Sequence, residues 1–307
     1  MARTSHTRTR FPAGSLAKHY DGFLRSLRLM RPETRGTYGR ALREFVRWYP
    51  AGERGGRITT AAVVRYKRHL TSRRRLSAVS VSTYLTALRR FCDYLVRRRV
   101  LPENPALAVG GNSRPRIHSR AALTPAEVET LLSVVDRSDE RGLRDLAFIR
   151  LMLGCGLSEI EIIRADGGDR FVGPEGVTLR VQGKGRRRKD QSVQLPPDVA
   201  AALDAYLALR PGLASGDPLF ASAGNRTRGK RMTTRGVRDR VSHYLVQAGL
   251  KGEGGKRITP YSLRHTAAVR MAGEGASAAE IRDRMRLGSV TTAMLYINQS
   301  KQQPAGT

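Results

Sequence analysis

Cysteine and acidic side chains are scarce in this chain of 307 residues, and long apolar runs are missing. The two cysteines, Cys92 and Cys155, both sit inside helix-like apolar patterns. That excludes a disulfide framework and points to a reducing compartment. No uninterrupted apolar stretch approaches the ~18 residues of a membrane span. The opening MARTSHTRTRF is basic but lacks the apolar segment of a secretory signal. Asp and Glu number 26 against 56 Lys and Arg, a net charge of +30. Hydrophobic residues make up 40% of the chain, too many for a disordered basic tail. The length allows one large domain or two modest ones, and either can bury a core. The composition is that of a folded, cytoplasmic polycation.

The charge is unevenly placed. Residues 1–120 hold 27 basic and 6 acidic side chains, while residues 121–307 hold 29 and 20. A globular segment tolerates such self-repulsion more easily when a polyanion neutralises it. Lys accounts for 8 of the basic residues and Arg for 48. Arg suits phosphate because its planar fork donates in pairs; GC-rich coding also favours Arg over Lys but does not explain the excess charge. Nucleic acid is the partner this implies. A membrane surface fits less well, because no basic amphipathic helix stands apart from the fold pattern.

After a basic tail over 1–14, the spacing predicts a helix over 15–29, with Leu16, Tyr20, Phe23, Leu24 and Leu27 on one face. A second opens near Pro32 and Thr34 and stops at Pro50; a third runs from Thr60 to about Leu70. The fourth carries Val81, Tyr84, Leu85, Leu88, Phe91, Cys92 and Leu95 at helical spacing. Residues 15–101 thus read as a four-helix bundle. Its polar faces hold Arg73, Arg74, Arg75, Arg89, Arg90, Arg97, Arg98 and Arg99 with almost no interleaved acid. Residues 102–122, rich in Pro, Gly and Ser, read as a linker.

The remainder, residues 123–298, reads as mainly helical with one small sheet. It opens at LTPAEVETLL, where Thr124 is a candidate N-cap with Pro125 behind it. An apolar helix is expected over 143–157, then two strands, 176–182 and 191–196, joined by GKGRRRKD. Helices are expected over 198–209, 234–248, 262–273 and 277–286, followed by a short one holding Tyr296 and a tail over 299–307.

Four stretches in this order, LTPAEVETLL, RDLAFIRLMLGCGLSEIEII, VQGKGRRRKDQSVQLP and TPYSLRHTAAVRM followed by Tyr296, resemble the catalytic domain of the tyrosine recombinases, or phage integrases. The helical bundle resembles the family's core-binding domain by pattern. Together they cover about residues 15–298, the size of short two-domain members such as the Xer-type enzymes, without room for an arm-binding domain. The resemblance implies that a tyrosine attacks a DNA phosphodiester, releases a 5′-hydroxyl and leaves a 3′-phosphotyrosine. Fixed guanidiniums would stabilise charge on the non-bridging oxygens, and a positioned acid would protonate the leaving oxygen. It calls for neither metal nor nucleotide cofactor. The implied partner is a double-stranded core site bound by a tetramer, with a sister recombinase or accessory factor possible, on the nucleoid.

Carried over by position, Tyr296 is the nucleophile, although Leu295 and Ile297 beside it also suit a core tyrosine. Arg264 in LRHT is the second family arginine, and His265 a neighbour of structural role. Lys184 between two glycines is the lysine that reaches the minor groove and protonates the leaving oxygen. Arg186, Arg187, Arg188 and Lys189 follow it, as phosphate contacts or as a solvated loop. Glu161 matches the acid of the first-arginine box.

Three positions depart from the pattern. In the box usually written GLRxSEL this chain reads Gly156-Leu157-Ser158-Glu159-Ile160-Glu161-Ile162, so Ser158 stands where the first arginine belongs. A hydroxyl donates one hydrogen bond and carries no charge. Arg164 and Arg170 are the nearest downstream candidates for a relocated arginine. Tyr261 occupies the place of the histidine three before Arg264. The later His or Trp position falls on Leu287 counted back from Tyr296, or on Ser289 if LGS is aligned with the family's LGH. The leading expectation is an atypical site-specific recombinase. A catalytically inactive DNA-binding relative is the alternative, and a basic RNA-binding or chromatin protein a third reading.

Overall fold

The fold is that of a computed structural model, which describes residues 15–30, 32–49, 58–111, 121–183, 186–224, 226–251 and 258–301. The chain divides into two compact units, residues 1–114 and 115–307. It is mainly α-helical with one small sheet.

In the first unit, α1 (Ser15–Ser26), α2 (Pro32–Trp48), α3 (Thr60–Arg68) and α4 (Ala78–Arg97) enclose one core. The hydroxyls of Thr59 and Ser77 accept from the amides of Ala62 and Ser80 and start α3 and α4. α3 runs into a π-helical turn, His69–Arg73, after which Arg75 takes a left-handed φ of 47°. Phe23, Leu42, Phe45, Tyr66, Leu85, Leu88 and Phe91 are fully buried. Phe45 meets Tyr66 edge-to-face at 4.9 Å, as Phe23 meets Phe91 at 5.4 Å. Part of the stretch expected to be linker is held here. Ala106 and Val109 are buried. Arg89 donates to their carbonyls at 3.1 and 2.6 Å, and Asn104 donates to the Arg89 carbonyl at 2.9 Å. Apolar anchors spaced this widely in a Pro-rich stretch have no periodicity to reveal them. Residues 112–120, and the basic tail over 1–14, lie outside the described residues.

The second unit begins with α5 (Pro125–Ser133), closed by a capping box between Thr124 and Glu127. α6 (Glu140–Gly154) packs its apolar length on α8 (Pro197–Leu207). Between them lie α7 (Glu159–Arg164) and an antiparallel sheet of β1 (Arg170–Gly173), β2 (Gly176–Val181) and β3 (Gln191–Gln194) in that order. Val172 pairs with Val177, and Leu179 with Val193. The sequence suggests two strands, and β1 is the third. Its adjacent Phe171 and Val172 are both exposed, so it shows no inward face to alternate. α9 (Thr234–Gln247), α10 (Pro260–Gly273), α11 (Ala278–Arg284) and α12 (Val290–Ser300) complete the unit. The last three close their own apolar cluster around Ala267, Ala268, Ile281, Met285, Ala293 and Tyr296. No helix among the described residues is long and apolar enough to cross a membrane.

Candidate active site

Glu161 lies in the first turn of α7, three residues after Ser158. The amide and hydroxyl of Ser158 both donate to Glu161 Oε2 at 2.7 Å. Ser158 is therefore the N-cap of a short helix, and its side chain is committed to the carboxylate. Glu161 is 2% exposed. Its other partners are two arginines that are remote in sequence.

The first is Arg264 of α10, 6% exposed. Its Nη1 donates to Glu161 Oε2 at 2.8 Å and to the Gly156 carbonyl at 2.5 Å, and its Nη2 donates to the Met285 carbonyl. The second is Arg286, just past α11. Its Nε donates to Glu161 Oε1 at 2.5 Å, its Nη2 to the Gly156 carbonyl at 3.1 Å, and its Nη1 to the Arg284 carbonyl at 2.5 Å. The Arg286 side chain is 3% exposed. Burial alone would raise the Glu161 pKa; the charges of Arg286 and Arg264, with hydrogen bonds from Arg286 and Ser158, outweigh it and hold the carboxyl below its ordinary value.

Local backbone geometry makes this convergence possible. Gly156 has φ of 62°, and a Cβ there would come within 2.4 Å of Met285 Sδ. Only glycine lets that carbonyl meet both guanidiniums. Arg286 itself has φ of 54°. It ends α11 with the paired bonds Arg286 N–H to Asp283 O, 3.0 Å, and Leu287 N–H to Arg282 O, 2.8 Å. This is the helix-terminating turn that normally places glycine at the left-handed residue; an L side chain there costs roughly 1 kcal/mol.

On the other side of α10, His265 is fully buried and its Nε2 shares a 2.8 Å hydrogen bond with Gln299 of α12. The Tyr296 ring packs on His265 at 5.0 Å between centroids and has no exposed surface. Tyr261, one turn earlier on α10, is half-buried. Leu287 packs on the α10–α12 cluster. Ser289 is the N-cap of α12, accepting from the Thr292 amide at 3.4 Å. Neither side chain matches the hydrogen-bonding ring expected at the His or Trp position. Lys184 lies outside the described residues. Thus Ser158, Glu161, Arg264 and Arg286 meet on one side of α10, and His265 and Tyr296 pack on its other side.

Of the relocated-arginine candidates, Arg164 ends the same short helix as Glu161 but is directed to a backbone carbonyl, and Arg170 is held by another carboxylate. Arg170 pairs with Asp204 at 2.6 Å, and Arg164 approaches the Gly183 carbonyl at 3.5 Å. Arg286 escapes a reading by spacing, because it is 125 residues from Glu161. The available signal is an arginine directly before LGS, in RMRLGS.

The basic candidates divide by environment. Arg73, Arg75, Arg97 and Arg99 are exposed at the ends of the helices of the first unit. Arg74 pairs with Glu44 at 3.0 Å; Arg90 lies over the Tyr38 ring and Arg98 over the Tyr94 ring. Arg89 is spent on carbonyls. In the hairpin, Arg187 and Arg188 are exposed, and Arg186 reaches Asp190 at 3.2 Å. Lys189 bonds Asp166 at 2.5 Å and also Asp169, so its ammonium ties the sheet to the segment before β1.

A two-unit chain with such a region has relatives on record. The phage integrase family model matches residues 121–303, and the phage integrase N-terminal SAM-like domain model matches residues 17–99. The tyrosine recombinase XerC of Yersinia pestis is 31% identical over 297 residues, covering 94% of this chain and 92% of the relative. XerC of Serratia marcescens is 29% identical over 289 residues, covering 92% and 91%. The fold recurs in lambda integrase solved as a dimer on a COC′ core site, with TM-score 0.72, 15% identity and coverage of 95% and 98%. It recurs also in the XerH site-specific recombinase on palindromic difH, at 0.68 and 17%, covering 94% and 82%. The chain belongs to the phage integrase family, the tyrosine recombinases.

Proposed function

We propose that this chain is a site-specific DNA recombinase that cuts and rejoins a core site through a 3′-phosphotyrosine. The observation that carries this reading is the placing of Arg264 and Tyr296 on the packed helices α10 and α12, with Arg264 anchored by Glu161. Tyr296 Oη forms a bond to phosphorus as the P–O5′ bond breaks. The phenol releases its proton to solvent water, the 5′-oxygen takes one from the Lys184 ammonium, and the neutral amine takes one back from water, so protons balance and the phosphodiester energy is kept in the tyrosyl ester. Arg264 binds a non-bridging oxygen, where charge gathers in the transition state. Tyr296 is fully buried, so α12 must shift before its hydroxyl meets a phosphate. Exposed arginines of the first unit and the hairpin hold backbone phosphates. The chain works on double-stranded DNA in a tetramer; residues 15–101 with the packed start of 102–122 bind the core site, the rest of that stretch connects, and residues 123–298 carry catalysis.

The test is nicked suicide DNA taken from the flanks of the gene, incubated with wild type and Tyr296→Phe. A covalent adduct in denaturing gels with wild type alone is the expected result. Ser158 favours a second reading, an inactive DNA-binding relative; bound DNA without adduct would establish it.

A further inference from the structure

We infer that Arg286 supplies the second phosphate-binding guanidinium that Ser158 lacks. The inference rests on the recombinase reading and names a residue which that reading leaves open.

Three observations carry it. Arg264 and Arg286 share the same two acceptors, Glu161 and the Gly156 carbonyl, so their guanidiniums lie side by side. Ser158 donates to Glu161 Oε2, and Arg286 brings a guanidinium to the same carboxylate, chiefly at its other oxygen, Oε1. Second, two guanidiniums face one carboxylate, and their remaining partners are neutral carbonyls. That leaves one excess positive charge in a buried site, the complement of the single negative charge on a phosphodiester. Buried charge without a partner is costly, and an incoming phosphate removes the imbalance. Third, Arg286 occupies a left-handed turn position that glycine fills more easily. Arg75 and Arg99 also take positive φ, so the turn selects Arg286 only together with its place on the buried carboxylate. Arg164 and Arg170 have none of these features.

In the closed arrangement both guanidiniums are covered, as Tyr296 is. Arg286 lies on the segment joining α11 to α12, so the shift that frees Tyr296 also re-aims Arg286. During attack Arg264 and Arg286 each hold a non-bridging oxygen while Glu161 keeps both in place. The bonds made and broken are those of the tyrosine exchange; Arg286 stays protonated throughout.

The test compares wild type, Arg286→Ala, Arg286→Lys, Ser158→Arg and the double variant Ser158→Arg/Arg286→Ala on the nicked DNA. Rate of adduct formation, affinity for the same DNA and thermal melting are measured for each. Arg286→Ala is expected to slow adduct formation by about 100-fold or more with affinity nearly unchanged. The double variant is expected to recover at least a tenth of the wild-type rate, because it returns a guanidinium to the same carboxylate. Should Arg286→Ala fold poorly, Arg286→Lys, which keeps charge without the fork, decides by the same split of rate from affinity. Wild-type rate in a folded Arg286→Ala overturns the inference and leaves the recombinase reading standing. A folded double variant as slow as Arg286→Ala overturns it too, since Arg286 then acts only in packing. Absence of adduct with wild type on DNA that it binds overturns the recombinase reading, and this inference with it.

Discussion

Glu161 faces the positive charges of Arg264 and Arg286 and two hydrogen bonds from Ser158, all inside the protein. Breaking one side of such a cluster leaves uncompensated charge, at roughly 3–5 kcal/mol. Glu161→Gln is therefore expected to lower the melting transition of the second unit by roughly 10 °C, measured by calorimetry on the full chain. The pH dependence has a definite sign. The folded pKa of Glu161 lies below its ordinary value near 4.5, so the unfolded chain takes up the proton first. The stabilisation is complete above about pH 4.5 and is lost as pH falls through the lowered folded value. Melting temperature should thus drop more steeply below pH 4.5 in wild type than in Glu161→Gln; parallel curves would contradict the assignment. The thiols tell a quieter story. Burial pushes Cys92 and Cys155 up to about 12, which makes both unreactive packing groups.

Helices α10 and α12 are tied by the His265–Gln299 hydrogen bond and by the Tyr296 ring on His265. Removing one such bond costs about 1 kcal/mol, roughly a five-fold change in a local opening equilibrium. Gln299→Ala is expected to speed amide exchange over 290–300 by about that factor in the DNA-free protein, with α6 and α8 unchanged. An equal rate in both proteins would mean that this bond does not hold α12. At this scale the sequence is informative where periodicity is long: α2, α4, α6, α9 and α10 are recognisable from their apolar spacing. It fails for β1, whose Phe171 and Val172 face outward together, and for α7, whose six residues are too few for a period. The Ser158-x-x-Glu161 spacing does carry a capping-box signal, and it explains what a serine does at a position where an arginine is expected. The candidate site is legible in its motif-bearing parts, Arg264 and Tyr296, whose roles are those proposed above. The packing of Arg286 on Glu161 is not legible there, because a left-handed turn and a partner far away in sequence leave no local pattern.

The whole molecule is governed by its net charge of +30. DNA affinity should fall by roughly 10³–10⁵ between 50 and 200 mM salt. Replacing Arg73, Arg75 and Arg97 together by alanine should reduce the logarithmic salt slope by about 3 if each holds a phosphate. Binding isotherms on one duplex at four salt concentrations would measure it, and an unchanged slope would move the phosphate contacts elsewhere. A polycation of this strength meets bystander DNA far more often than its own site. With Tyr296 sealed in the α10–α12 cluster, those encounters present no hydroxyl to a phosphate. On the proposed recombinase reading, fidelity then depends less on where the protein lands than on which duplex can hold it long enough, and in enough copies, to draw α12 out.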